Sequence, residues 1–221
     1  MDLTYALKRP RKKWLAGKIL KNSEKIICTN NYVAELARQT WPNIKPKIFV
    51  VNPGAGNRIT PDAQGARRLR KEYKLENKII LLSVGRLVKR KGFDMVIKAL
   101  PEVLEKAPNL VYVILGNGEE IGNLKFEIGD LKLEKSVHII NQVDDEERNL
   151  WYNISDIFIM AAKNIQGDFE GFGIVYLEAN LAGKPVIAGR SGGVEDAVKN
   201  GLNGLLVDSE DTAQIASAII K

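Results

Sequence analysis

Two glutamates eight residues apart, Glu170 and Glu178, flank a glycine-rich turn and are the residues best suited to chemistry. The turn is Gly171-Phe172-Gly173, and Ile174 continues it into an apolar, helix-like run. A helix that begins near Gly173 leaves Glu170 in the preceding loop and carries Glu178 about 7.5 Å along its axis. Carboxylates accept hydrogen bonds from sugar hydroxyls, and the free N–H groups of the turn donate to phosphate or hydroxyl oxygens. The alternative is a helix-capping acid beside an unrelated surface glutamate.

A second segment, Gly85-Arg86-Leu87-Val88-Lys89-Arg90-Lys91-Gly92, places glycines and cations between a predicted strand and a predicted helix. Its glycines permit tight backbone turns close to a ligand. The following helix would present free N–H groups and the positive end of its dipole. Arg86 and Lys91 add a planar fork and a point charge, which together suit a diphosphate. A solvated basic surface loop is the alternative.

Two more glycine-containing turns follow predicted strands. Gly116-Asn117-Gly118 resembles the start of a dinucleotide-binding fingerprint, but Ile121 stands where that pattern needs its third glycine, which favours a simple turn. Ser191-Gly192-Gly193-Val194-Glu195-Asp196 permits another close backbone approach to a ligand. Equally, Glu195 merely favours the N-terminus of a short helix. The sequence has no Gly-Lys-Ser/Thr, which excludes a P-loop of that form.

An alternation of apolar strands and helix-like segments from about residue 78 onward must position these turns. The predicted strands are 79–84, 110–115, 137–140, 157–160, 185–188 and 204–207, and the predicted helices are 93–104, 119–132, 144–153, 173–182, 194–199 and 211–220. Pro101 predicts a kink or a restart in the first helix. Strands that are apolar throughout are buried on both faces, so the predicted fold class is α/β, a doubly wound parallel sheet of Rossmann-like type. Such domains bind ligands at the carboxyl ends of their strands.

The first 57 residues have a different organisation. Strands are predicted at 25–29 and 47–51 and a helix at 31–39, and the turn-rich 52–57 predicts a linker. Two strands and one or two helices make too small a core to stand alone. We therefore expect residues 1–57 to be the remnant of a preceding domain with its linker, and residues 58–221 to be the ligand-binding domain.

Composition narrows the class of protein further. The chain has 221 residues, of which 45% are hydrophobic, enough for one full domain and a fragment. Cys28 is the only cysteine and His138 the only histidine, so an intrachain disulfide is excluded and a zinc site disfavoured. No apolar stretch reaches the roughly 18 residues of a spanning helix, and the N-terminus lacks the apolar core of a signal peptide. We expect a cytoplasmic protein.

The positive charge is concentrated at the N-terminus. The whole chain carries a net charge of +6, and its first fifty residues contain eleven Lys or Arg but only three Asp or Glu. Trp14 and Leu15 adjoin the densest basic run, residues 8–13. Three interpretations stay open: a solvated surface segment, a contact with anionic lipid headgroups, and nucleic-acid binding. The last is the weakest because nothing else resembles a nucleic-acid module.

The four glycine-containing segments, in this order, resemble the C-terminal donor domain of retaining glycosyltransferases with the GT-B fold. The match is to the large family four (glycosyltransferases group 1), which includes bacterial enzymes acting on lipids and polysaccharides. Gly183-Lys184-Pro185-Val186-Ile187-Ala188 and residues 200–207 also fit. The resemblance runs from about residue 24 to the end of the chain.

The resemblance implies a role for each segment. Arg86 and Lys91 would hold the donor diphosphate, Glu178 the ribose hydroxyls and Glu170, with the amides of Phe172 and Gly173, the donor sugar. The strand end at residues 140–143 would meet the nucleobase. The implied catalytic residue is Glu170, and the implied donor-binding set is Gly85, Arg86, Lys91, Asn117, Gly118, Gln142, Val143, Gly171, Phe172, Gly173, Ile174 and Glu178. No metal or other cofactor is expected, because cationic side chains replace an absent Asp-x-Asp motif.

The resemblance also implies an activity and partners. A retaining enzyme of this group would transfer a hexose from a nucleoside-diphosphate sugar to a lipid or polysaccharide acceptor. It has two similar domains, and at about 150 residues per domain this chain is too short for both. We expect a donor-binding part that transfers little sugar alone and needs an N-terminal domain or a partner chain, with peripheral membrane contact and without nucleic acid. The alternative is a nucleotide-sugar-binding module inactive without a partner acceptor domain; Ile121 disfavours a nicotinamide-dependent oxidoreductase.

Overall fold

The computed structural model describes residues 8–56 and 61–221 and contains eight strands there. They are β1 (Ile26–Cys28), β2 (Ile48–Val50), β3 (Ile79–Val84), β4 (Leu110–Leu115), β5 (Val137–Ile140), β6 (Ile157–Met160), β7 (Val186–Gly189) and β8 (Leu205–Val207). β1 and β2 form a parallel two-stranded sheet, and the other strands form a parallel sheet in the order β5-β4-β3-β6-β7-β8. The predicted doubly wound α/β fold is confirmed.

Nine α-helices lie before, between and after these strands within the described residues. They are α1 (Pro10–Asn22), α2 (Asn31–Thr40), α3 (Ala63–Glu72), α4 (Phe93–Lys106), α5 (Ile121–Asp130), α6 (Asp145–Ile154), α7 (Ile174–Leu181), α8 (Val194–Ala197) and α9 (Thr212–Ile220). Short 3-10 turns cover Pro42–Lys47 and Lys89–Lys91. The helices after β3 all lie within two residues of a predicted boundary at their N-termini.

The six-stranded sheet is buried on both faces, which explains its predominantly apolar strands. Leu81 and Leu82 are neighbours on β3, and both are fully buried. Leu81 packs in a core cluster with Phe93 of α4, whereas Leu82 packs in a second cluster with Tyr176 of α7. Since successive side chains of a strand point to opposite faces, the two clusters are the two helix layers that cover the sheet.

The strand order places the chain's direction change between β3 and β6. From β3 the chain first builds outward through β4 to β5, and then returns to add β6, β7 and β8 on the other side. In such sheets the crevice for ligands lies at this point, between the loops that follow the two central strands. The loop after β3 contains Arg86 and Lys91, and the loop after β6 contains Glu170.

The predicted restart at Pro101 is wrong. α4 is one continuous helix from Phe93 to Lys106 with Pro101 inside it. Pro101 is exposed, while Val96, Leu100 and Val103 are buried on the side that meets the sheet. Burial of that apolar stripe outweighs the roughly 3 kcal/mol that an interior proline costs a helix.

Two helices, α1 and α3, were not predicted from the sequence. α1 forms within the basic N-terminal stretch, begins with Pro10 and buries Ala16. α3 begins after Asp62, whose side chain accepts hydrogen bonds from the first-turn amides, and buries Leu69. Both helices carry few apolar residues among many charged ones, although in α3 these apolar residues share one face.

The two-stranded sheet has a small core of its own, built from β1, β2, α2 and the first 3-10 turn. Ala34, Ala37 and Ile44 are buried there. The predicted linker at 52–57 is described as far as residue 56, and the predicted domain boundary between residues 57 and 58 lies outside the described residues. Across residues 8–56 and 61–221, no helix is both long and apolar enough to cross a bilayer.

Candidate functional site

The loops after β3 and β4 pack against each other through their backbones. The two strands are in register from Ile79 beside Leu110 to Val84 beside Leu115, so they end side by side. Gly116 has a φ of +149°, and a Cβ there would lie 1.9 Å from the carbonyl oxygen of Gly85. The glycines of Gly116-Asn117-Gly118 therefore serve this close approach between loops, which supports the interpretation as a turn.

Glu170 lies at the centre of a cluster of charges between the loops after β3 and β6. Its Oε2 is 2.7 Å from Lys91 Nζ and 2.7 Å from Arg90 Nη1. Arg90 Nε lies 3.3 Å from Oδ1 of Asp168. The Lys163 amide also donates to the Arg90 carbonyl oxygen at 2.7 Å, which joins the two loops directly.

Burial makes this charge cluster informative. Glu170 is 7% exposed and Lys91 is 8% exposed. A desolvated carboxylate is costly unless cations and hydrogen-bond donors compensate it, and Arg90 with Lys91 supply that compensation. Lys91 Nζ also lies near the start of its own loop, because a Cβ on Gly85 would lie 3.7 Å from it. Lys91 thus spans the crevice at the direction change of the sheet.

Arg90 was missed as a site residue by the sequence analysis. It contacts the predicted catalytic residue Glu170, while the sequence analysis assigned roles only to Arg86 and Lys91 in that loop. Its position directly before Lys91, in a loop that faces the loop after β6, is the signal that could have indicated it.

The turn after β7 supports Glu170 from behind. The Glu170 amide donates to Ser191 Oγ at 3.2 Å, and the Gly193 amide donates to the Glu170 carbonyl oxygen at 3.0 Å. A Cβ on Gly192, whose φ is +53°, would lie 2.3 Å from that same carbonyl oxygen. The close approach predicted for these glycines is therefore made to the Glu170 backbone, and Glu195 is an exposed partner of Arg190.

A cavity of about 310 Å³ opens beside Glu170 at the start of α7. Its lining combines residues from the N-terminal 56 residues with residues around the large sheet. They are Thr29, Pro53, Lys91, Glu170, Gly171, Phe172, Gly173, Ile174 and Val175. Gly173 directly precedes α7 in the left-handed conformation, and Phe172 is buried. The first amides of α7 lack partners within the helix, so the cavity has hydrogen-bond donors and the positive end of the helix dipole at one wall.

Glu178 lies one turn deeper in α7 and has a neutral partner. It follows Ile174, a cavity residue, by four positions, so the two side chains lie on the same face of the helix. Tyr152, fully buried in α6, donates its hydroxyl to Glu178 Oε2 at 2.7 Å. Burial, reinforced by the Glu178 charge, raises the pKa of Tyr152 above its ordinary value, so this hydroxyl stays a donor. Within residues 8–56 and 61–221, Glu178 forms no ion pair.

Some predicted site residues lie apart from this cluster. Arg86 is exposed and has no ion-pair partner in the part of the chain that the structure describes. The Asn117 side chain bonds locally to the Gly118 amide at 2.8 Å. Gln142 is exposed beyond β5, at the far edge of the sheet, and Val143 packs against the core. The structure thus gathers Gly85, Lys91, Glu170 and residues 171–174 around one crevice.

Three asparagines of the N-terminal 56 residues contact the loops after β6 and β7. Asn30 donates its side-chain amide to the Gly171 carbonyl oxygen, and Asn31 Nδ2 donates to Asp196 Oδ1 at 2.8 Å. Asn52 Nδ2 lies 3.4 Å from Asp196 Oδ2. Partial burial by itself would raise the pKa of Asp196, but the hydrogen bonds from Asn31 and Asn52 lower it below its ordinary value. None of these contacts was predicted.

In the described ranges, no group of three or more His, Cys, Asp or Glu residues is arranged to hold a metal ion. Cys28 is buried in β1, where burial raises the pKa of its thiol. His138 lies in β5, where burial lowers the pKa of its imidazole.

Known proteins are similar to this chain in sequence and in fold. A GDP-mannose-dependent alpha-(1-6)-phosphatidylinositol monomannoside mannosyltransferase of Mycolicibacterium smegmatis is 36% identical over 165 residues, 74% of this chain and 43% of that protein. The crystal structure of Anabaena Alr3699/HepE in complex with UDP superposes with a TM-score of 0.84 at 22% identity, covering 95% of this chain and 57% of that one. The chain spans less than half the length of the mycobacterial relative.

A solved single domain is similar as well. It is the C-terminal domain of a glycosyl transferase group 1 family protein (LpcC) from Francisella tularensis. The superposition covers 73% of this chain and 83% of that domain, with a TM-score of 0.62 and 26% identity. The family model for "Glycosyl transferases group 1" matches residues 66–221, which contain both glutamates and the Arg90 and Lys91 loop. The resemblance seen in the sequence is confirmed: the chain belongs to the group 1 glycosyl transferase family.

Proposed function

We propose that this chain is the donor-binding part of a retaining glycosyltransferase that transfers a hexose from a nucleoside-diphosphate sugar to a lipid or polysaccharide acceptor. One observation carries the proposal. A buried carboxylate, Glu170, and a buried cation, Lys91, meet beside the free amides of a helix N-terminus at the direction change of a doubly wound sheet. This arrangement offers acceptors for sugar hydroxyls and donors for phosphate oxygens within one cavity.

The diphosphate binds to Arg86, Lys91 and the first amides of α7 in this proposal. Arg86 is exposed and carries a charge that no described residue neutralises. Lys91 Nζ lies between Gly85 and Glu170, at the crevice that the diphosphate would enter. When Lys91 turns, Arg90 still compensates Glu170.

The sugar occupies the cavity beside Glu170. A volume of about 310 Å³ corresponds to roughly ten water molecules, which accommodates a hexose. Glu170 accepts hydrogen bonds from sugar hydroxyls, while the amides of Phe172 and Gly173 donate to them. Glu178, deeper in α7, binds the ribose hydroxyls, and the backbone at Gln142 and Val143 meets the nucleobase.

Departure of the diphosphate is the step that these cations assist. The bond between the anomeric carbon and the diphosphate oxygen breaks, and the negative charge stays on the diphosphate. Arg86, Lys91 and the α7 dipole stabilise that charge before it is fully developed. We propose that they do so without a metal ion, since the sequence lacks an Asp-x-Asp motif. The acceptor oxygen then bonds to the anomeric carbon with retained configuration, and the proton of the acceptor hydroxyl passes to an oxygen of the departing diphosphate.

We take GDP-mannose as the first donor to test and a membrane lipid as the acceptor. The mycobacterial relative is named as GDP-mannose-dependent and as acting on a phosphatidylinositol monomannoside. α1 supports contact with a lipid surface. Its exposed Trp14 (68%) and Ile19 lie beside Lys18, and the helix contains no acidic residue. The Anabaena structure contains UDP, so UDP-sugars are the second donors to test.

A binding module that needs a partner acceptor domain is the second candidate. Ile27 and Phe49 are paired neighbours on β1 and β2, and they are 69% and 49% exposed. Parallel sheets are ordinarily covered on both faces. The exposed apolar face formed by Ile27 and Phe49 therefore favours a partner acceptor domain that covers it.

A thermal-shift screen in EDTA tests the proposed function. We expect GDP-mannose, or else UDP-glucose, to raise the melting temperature, whereas NAD does not, because bound ligand stabilises the folded state by mass action. Stabilisation by NAD alone would refute the donor site. To separate the two candidate functions, transfer of mannose from GDP-mannose to a phosphatidylinositol monomannoside is measured for the chain alone. Robust transfer would refute the second candidate, the binding module that needs a partner acceptor domain.

A further inference from the structure

Tyr152 is a buried residue that has no role in the function proposed above. It lies in α6, is fully buried, and directs its hydroxyl to Glu178 Oε2 at 2.7 Å. α6 and α7 are separate helices on the same face of the sheet, and Tyr152 packs there against Phe158 of β6. The Tyr152–Glu178 hydrogen bond therefore joins two elements that the core already holds in place.

The position of the bond matters for Glu178. A glutamate on a helix surface has three side-chain torsions and samples several rotamers, and ordering them has an entropic cost when a ligand binds. A hydrogen bond from a rigid phenol selects one rotamer before the ligand arrives. It occupies Oε2 and leaves Oε1 as an acceptor for a pair of neighbouring hydroxyls.

The neutral partner also preserves the charge of Glu178. A lysine or arginine at that position would neutralise the carboxylate and compete with a ligand hydroxyl as donor. Tyrosine orients the carboxylate without cancelling its charge, so the acceptor strength of Oε1 is retained. Tyr152 remains protonated, as described above, and cannot repel Glu178.

We propose that Tyr152 is a positioning residue: it fixes Glu178 so that Oε1 recognises the ribose diol of the donor nucleotide. The proposal rests on the proposed function, in which Glu178 binds the ribose. Its consequence is specific, since loss of the Tyr152 hydroxyl should weaken discrimination between ribose and dideoxyribose. A residue with only a packing role would not change that ratio.

Calorimetric titration of the full chain with matched nucleotides tests this role. The probes are GDP and 2′,3′-dideoxy-GDP, together with UDP and 2′,3′-dideoxy-UDP, and the pair with the tighter diphosphate is used. The variants are Tyr152→Phe and the control Tyr112→Phe. Tyr112 is also fully buried and loses one hydroxyl bond, to Ser83 at 2.8 Å, but it packs in the core cluster on the other side of the sheet.

We expect the unaltered chain to prefer the ribose form about tenfold, as hydrogen bonds to a charged group would produce. Tyr152→Phe should reduce that preference to about threefold or less, while Tyr112→Phe keeps it. An unchanged preference in folded Tyr152→Phe would overturn the role of Tyr152 alone, and so would an equal loss in Tyr112→Phe. No preference in the unaltered chain would overturn the ribose role of Glu178 and the positioning role together.

Discussion

Glu170 and Glu178 belong to one loop-helix segment, yet they have opposite kinds of partner. Two cations, Arg90 and Lys91, each lie 2.7 Å from Glu170 Oε2, whereas a neutral phenol contacts Glu178. Glu170 is almost fully buried and Glu178 only partly. The difference follows from desolvation: a buried carboxylate needs charge compensation, and a half-hydrated one needs only orientation.

The comparison separates two tasks within the proposed site. At the Glu170 end, Lys91 compensates the carboxylate and is also the cation that a diphosphate would recruit, so charges rearrange when donor binds. At the Glu178 end nothing rearranges, because Tyr152 is fixed in the core. Changes at Glu178 should therefore affect the nucleotide whatever it carries, and changes at Glu170 should affect the sugar.

The largest effect is expected for Glu178→Ala. Loss of charged hydrogen bonds to the ribose, about 2 kcal/mol, should weaken GDP and GDP-mannose equally by roughly thirtyfold. Calorimetry with both ligands measures the two affinities, and Glu195→Ala, an exposed acid elsewhere, is the control. A loss confined to GDP-mannose would reverse the assignment of the two glutamates.

A smaller and more selective effect is expected for Glu170→Gln. Glutamine keeps the shape of the side chain but is a weaker acceptor, so GDP-mannose affinity should fall about tenfold relative to GDP affinity, which should stay equal or rise because Lys91 is released. Asp168→Asn is the matched control, because this exposed acid contacts the same Arg90. Equal losses for GDP and GDP-mannose would show that Glu170 does not read the sugar.

The smallest effect is expected for Arg90→Gln. Without Arg90, Glu170 depends on Lys91 alone, so Lys91 is less available to the diphosphate and GDP affinity should fall about threefold. The melting temperature should fall as well. Arg190→Gln, which alters an exposed pair, should do neither. Unchanged GDP affinity in Arg90→Gln would contradict the proposal that Lys91 exchanges Glu170 for the diphosphate when donor binds.

The strands and turns of the large sheet could be predicted because local sequence determines them. Apart from the buried Ser83, Ile79–Val84 is apolar because helices cover both faces of the sheet, and the turn at Gly116 needs glycine for a nearby backbone. Helix α3 escaped prediction because its few apolar residues stand among many charged ones, although they share one face of the helix and Leu69 is buried there.

The partners of the two glutamates could not be predicted in the same way. Arg90 is 80 residues from Glu170 along the chain, and Tyr152 is 26 residues from Glu178. Which side chains meet across such separations depends on loop paths and helix rotation, which residue types alone do not specify. The sequence therefore indicated which carboxylates to consider, and the structure showed that their environments differ.

The proposal that Arg86 binds the donor diphosphate is tested most directly by calorimetric titration of GDP, or UDP if it binds more tightly, into three forms of the chain. They are the unaltered chain, Arg86→Ala and Lys89→Ala, which removes an exposed cation from the same loop. We expect saturable binding by the unaltered chain, about tenfold weaker binding by Arg86→Ala and little change in Lys89→Ala. Equal affinity in all three folded proteins would contradict a diphosphate site at the loop after β3.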